Sequence, residues 1–96
     1  TLQEQKANSL PSHSYETAPG YRLLIVAFDI PESESKKRRW LRTALADMGF
    51  TMLQKSVWAG KVILPKKFLD DLSQLRLTAC VQIFEITRAG SLREIA

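Results

Sequence analysis

The segment that most limits what this chain can become is Tyr21-Arg22-Leu23-Leu24-Ile25-Val26-Ala27-Phe28, an apolar run broken only by Arg22. It is too short for a buried helix, and its β-branched and aromatic residues leave no polar side to give to solvent. It therefore predicts a strand covered on both faces, the centre of a sheet. Asp29-Ile30-Pro31 closes the run, because proline cannot donate to a central ladder and restricts the residue before it. A central strand this early requires the rest of the chain to supply its neighbours and its cover.

The following segments do so in order. Trp40, Leu41, Ala44, Leu45 and Met48 recur at three- and four-residue spacings, predicting an amphipathic helix capped at Ser33 or Ser35 and stopped by Gly49 in the left-handed conformation. Phe50 to Leu64 carries strand character with two candidate turns, Gln54-Lys55-Ser56 and Ala59-Gly60, and reads as a hairpin. Pro65 suits the first turn of a second helix with Phe68, Leu69, Leu72 and Leu75 on its apolar face. Cys80 to Thr87 returns to strand character. The order strand, helix, strand, strand, helix, strand predicts an α+β domain: a ferredoxin-like β-α-β-β-α-β sandwich, its antiparallel sheet carrying two helices on one face. Such a sheet leaves its other face open, and a second copy of the chain is the simplest cover, so a homodimer is expected.

At 96 residues the chain has room for one domain. Residues 1–20, with Gln, Asn, Ser, Pro and Gly and no sustained period, read as a flexible linker. Residues 21–88 form the domain, and 89–96 an extension expected to cross to the dimer partner. Thr1 in first position is read as the mark of a fragment of a longer polypeptide.

A formal charge of +4 and a pI near 9.5 favour an anionic partner. The lone Cys80 excludes an intramolecular disulfide, and no apolar run reaches the roughly 20 residues of a membrane span, pointing to a cytoplasmic protein. His13 stands alone in the linker with no metal-ligand companion. One His and one Cys, so placed, provide no nucleophile-base pair, and neither a Gly-rich phosphate loop, a zinc spacing nor a dinucleotide fingerprint is present. Any chemistry here would rest on carboxylates and metal.

Asp29 sits at the carboxyl end of the predicted first strand. Paired with its copy across a two-fold axis, it could hold a magnesium ion through oxygen ligands; the local alternative is an Asp bonded to backbone N–H groups of the Pro31 turn. Lys36, Lys37, Arg38, Arg39 and Arg42 put positive charge at the start of a helix, where the macrodipole disfavours cations, and Glu32 and Glu34 offset it in part. Phosphate would neutralise that repulsion, so these residues, with Lys66 and Lys67 on the second helix, are candidate nucleic-acid contacts beside the plainer reading of a solvated helix face. Trp40 and Trp58 could stack on bases but sit in apolar patterns and read as core. Glu85 reads as a surface residue of the open sheet face, within reach of Arg88 or Arg22.

Tyr21 to Asp29 followed by a basic helix, then Gly49-Phe50 and Leu53-Gln54-x-Ser56-Val57-Trp58, resembles the family of CRISPR-associated protein two. Phe28-Asp29-Ile30-Pro31-Glu32, with Gly49-Phe50-x-x-Leu53-Gln54-x-Ser56-Val57-Trp58, is more similar still to the central domain of the phenylacetic-acid (PaaX) repressor family. The repressor resemblance implies a dimerising module behind a winged helix that reads double-stranded DNA and lies outside this sequence. The CRISPR resemblance implies a magnesium-dependent endoribonuclease or endodeoxyribonuclease, or an integration scaffold, with Asp29 as the metal carboxylate. The linker before Tyr21 and the first residue Thr1 favour the repressor fragment; Asp29 is then expected to be placed like the metal carboxylate and to be catalytically silent.

Overall fold

The central strand, β1, runs Ala18–Phe28, beginning ahead of the apolar stretch. A 3-10 turn at Glu32–Glu34 leads into α1, Ser35–Asp47. The hairpin follows as β2, Thr51–Gln54, and β3, Val57–Ile63; then come α2, Lys66–Gln74, and β4, Val81–Ile86. A further short strand, β5, Leu92–Glu94, was not anticipated as an element. The structure is a computed structural model that describes residues 10–12, 14–86 and 92–95; His13, Thr87 and Arg88 lie outside them.

The sheet order is β2-β3-β1-β4-β5, and each neighbouring pair is antiparallel. The chain is thus α+β with the expected ferredoxin-like order in its first four strands. β5 pairs with β4 of its own chain, Phe84 facing Glu94 and Ile86 facing Leu92, so this part of the extension expected to cross to a partner lies along its own sheet edge. Of the two candidate turns, the hairpin uses Lys55-Ser56, and Ala59-Gly60 stays inside β3. Gly60 is needed there for another reason: a Cβ would meet the Phe50 ring at 3.0 Å.

Alternation along β1 sends Leu24, Val26 and Phe28 to one face, where they form a single core with Trp58, Val81, Ile83, Trp40, Leu41, Leu45, Phe68 and Leu72. One core drawing on both helices places both on that face. Each helix ends in a Schellman motif. After α1 the N–H groups of Phe50 and Gly49 donate to Leu45 and Ala46 carbonyls at 3.0 and 3.1 Å, with Gly49 at φ 99° as its position predicts. After α2, Leu77 and Arg76 donate to Leu72 and Ser73, and Arg76 takes the left-handed position at φ 59° without being glycine. The expected serine cap is corrected: Glu34 occupies the N-cap of α1, no side chain bonds there, and the 3-10 turn supplies the lead-in.

Part of the stretch read as a linker is packed. Leu10 and Tyr15 lie against the core, and the Trp40 Nε1–H donates to the Pro11 carbonyl at 2.7 Å. The Tyr15 ring meets Phe68 edge-on at 5.4 Å, and its hydroxyl donates to Asp71 Oδ2 at 2.7 Å. A second correction concerns Glu85. Register pairs it with Leu24, so it turns to the helix side and accepts an ion pair from Arg22 at 2.8 Å. No helix among the described residues is long and apolar enough to cross a membrane.

Candidate nucleic-acid interface

The end of β1 is clamped between two loops. Phe28 N–H donates to the Ser56 carbonyl at 3.0 Å and Asp29 N–H to the Cys80 carbonyl at 2.8 Å, which fixes the backbone from which the Asp29 side chain projects. That side chain is exposed at the mouth of a shallow cleft of about 390 Å³, shared with Ser56, Ala79, Cys80 and Gln82. No hydrogen bond joins the Asp29 carboxylate to the Pro31 turn among the described residues, so the local capping reading is not met; the turn is held by the Glu34 N–H bonding the Pro31 carbonyl at 2.8 Å. Asp29 is also the only carboxylate lining the cleft, and no group of three His, Cys, Asp or Glu among the described residues is placed to hold a metal.

The basic run at the start of α1 does not form one surface. Successive helical residues turn by about 100°, which scatters four consecutive cations around the axis. Lys36 and Arg39 line one flank, beside Leu10, Pro11 and Thr43. Arg38 and Arg42 line the other, beside Glu32, Met52 and Lys55. Lys37 has a structural task between them: its ammonium donates to the Leu75 carbonyl at 2.9 Å and lies 3.2 Å from Glu34. It thereby ties the start of α1 to the end of α2, where the exposed carbonyl dipoles favour a cation.

Lys66 and Lys67 stand at the opposite end of α2, ~13 Å along the helix from Leu75 at the usual rise per residue. Lys66 is exposed, whereas Lys67 bonds the buried Asp71 at 3.2 Å. Asp71 thus takes a hydrogen bond from the Tyr15 hydroxyl and an ion pair from Lys67. Burial, that hydrogen bond and the Asp71 charge all push the Tyr15 hydroxyl well above the ordinary tyrosine range. Both tryptophans are buried as expected, each with its indole N–H bonded to a backbone carbonyl: Trp40 to Pro11, Trp58 to Lys55.

Of the seven cations singled out by the sequence, Lys36, Arg39 and Lys66 are exposed, Arg38 and Arg42 share one cleft, and Lys37 and Lys67 are tied into the fold. Lys55 joins Arg38 and Arg42 in that cleft, and sequence reasoning passed over it. The signal was present in the Gln54-Lys55-Ser56 turn, but with the turn unassigned, the neighbour of Lys55 was open.

The fold agrees with one comparison. A family model described as the PaaX protein central Cas2-like domain matches residues 22–94. No curated protein and no solved structure matches the chain at a significant level.

Proposed function

Because the chain belongs to the family of the PaaX protein central Cas2-like domain, matched over residues 22–94, we propose that it is the dimerisation domain of a PaaX-like, DNA-binding transcriptional regulator. The winged helix that reads bases belongs, in this reading, to the rest of the parent protein.

The observation that carries the proposal is the second face of the sheet. Alternation places Leu23, Ile25, Ala27, Val57, Phe84 and Ile86 there, all only half-buried, with no described helix or strand across them. Tyr21, fully exposed at 100%, continues the apolar character toward the start of β1. A sheet face this apolar suits a self-complementary contact between two copies about a two-fold axis. The helix face cannot serve the same purpose, because Leu10, Tyr15 and the two helices already cover it.

Double-stranded DNA is the second proposed partner, reached through the parent protein and touched here only by cations, among them Lys36, Arg38, Arg39, Arg42 and Lys66. Phosphate contacts of this type carry no sequence information and weaken steeply with salt. The test is a titration of two unrelated duplexes at low and moderate salt. Similar weak affinities that fall together as salt rises support the reading; strong preference for one duplex by this chain alone contradicts it.

In the same reading Asp29 is catalytically silent. A magnesium- and manganese-dependent cleavage assay on single- and double-stranded DNA and RNA, comparing the chain with Asp29→Asn, checks this. No cleavage by either is expected, and metal-dependent cleavage lost in the variant would promote the nuclease alternative.

A further inference from the structure

The geometry points to a seat for one backbone phosphate of duplex DNA in the cleft between α1 and the β2–β3 turn, built by Arg38, Arg42 and Lys55. The inference rests on the DNA-binding reading above and names the place where that contact is made.

Three elements converge on the cleft, whose volume is about 540 Å³: the 3-10 turn with Glu32, α1 with Arg38 and Arg42, and the hairpin turn with Lys55, walled by Met52. Three cations face one carboxylate. That carboxylate neutralises little, since Glu32 is 91% exposed and stands 3.6 Å from Arg38, longer than a charge-assisted hydrogen bond. Arg38 and Arg42, four residues apart on one helix flank, repel each other, and Lys55 adds a third charge. Such a cluster is unfavourable until an anion enters it.

Two features fix the frame on which the cluster is built. Arg42 is partly buried and its Nε–H is shielded from solvent without a hydrogen-bond acceptor among the described residues, so its guanidinium arrives with donor capacity unspent. The backbone from which Lys55 projects is fixed, because its carbonyl accepts the Trp58 indole N–H at 3.4 Å and Trp58 is part of the core. A planar fork, a second guanidinium and an ammonium around an open cleft suit the oxygens of a phosphodiester, which accept from several directions at once. The exposed Met52 wall is compatible with the sugar edge beside such a phosphate.

The test is fluorescence anisotropy of a labelled duplex, at a series of salt concentrations, with the whole chain and its variants Lys55→Gln, Arg42→Gln and the pair. Arg76→Gln together with Lys61→Gln removes two charges outside the cleft and serves as the control for net charge. The pair should lower affinity by roughly tenfold or more at low salt and reduce the slope of log affinity against log salt by about one phosphate contact. Lys55→Gln alone should weaken binding several-fold, and as an exposed turn side chain it leaves folding intact. If the wild-type chain binds and the pair loses no more than the Lys61→Gln/Arg76→Gln control, the seat is wrong while the DNA-binding reading stands. If the wild-type chain shows no salt-dependent binding, both fall.

Discussion

Asp71 is a carboxylate only 4% exposed on an otherwise apolar helix face, and its environment explains why it is tolerated there. Tyr15 and Lys67 between them satisfy both of its oxygens, at 2.7 and 3.2 Å. Tyr15→Phe should cost about 0.5–1.5 kcal/mol, the usual net worth of one hydrogen bond, measured by denaturant unfolding. The pH dependence has a definite sign. The Tyr15 hydroxyl is held above its unfolded value, so its contribution is full below ~10, where unfolded tyrosine stays protonated, and fades as pH rises beyond that. The stability gap between wild type and Tyr15→Phe should therefore be constant below about pH 10 and narrow progressively as pH rises above it; a gap that widens contradicts the assignment. Arg76 gives an opposite case, since its left-handed backbone at φ 59° suits glycine better. Arg76→Gly should raise stability by up to ~1 kcal/mol. Asp29→Ala, with no described bond to lose from its carboxylate, should change stability by less than ~0.5 kcal/mol in the same measurement.

At the scale of elements, α1 contributes Leu41, Ala44 and Leu45 to the core with no exposure at all, which makes it the main organiser of the helix layer. Leu41→Ala should cost ~2–5 kcal/mol by creating a cavity, read as a drop in melting temperature. Both helices were legible in the sequence because their apolar residues repeat at helical spacing, and the end of α1 was legible because Gly49 has one obvious use. The end of α2 was not, because Arg76 performs the same left-handed turn without the residue that signals it. The start of α1 misled in the opposite direction: Ser33 and Ser35 are good capping residues, yet the Glu32–Glu34 turn brings Glu34 to the cap position instead. β5 escaped notice because Leu92–Glu94 is too short to show an alternating period. The basic run of α1 was visible as charge, but its division into two flanks depends on what packs beside each residue, and Lys55 enters only once the hairpin turn is placed.

The order of strands and helices across the whole molecule follows from one buried strand and the punctuation by Pro31, Gly49 and Pro65, which is why the architecture could be anticipated. Docking of the residues before β1 could not, since it depends on isolated contacts between residues far apart in sequence, Tyr15 with Asp71 and Pro11 with Trp40, that leave no periodic trace. Those contacts cover the helix side and leave the sheet side apolar, and this asymmetry is what the proposed dimer uses. Phe84 lies on that open face directly across from Ile25, so a charge there disrupts a partner without entering the core. The most direct measurement is sedimentation equilibrium of the chain and of Phe84→Glu at micromolar concentration, with circular dichroism to verify that both are folded. The account predicts a dimer for the wild type and a folded monomer for the variant; a wild-type monomer, or a dimer that Phe84→Glu leaves intact, would contradict it.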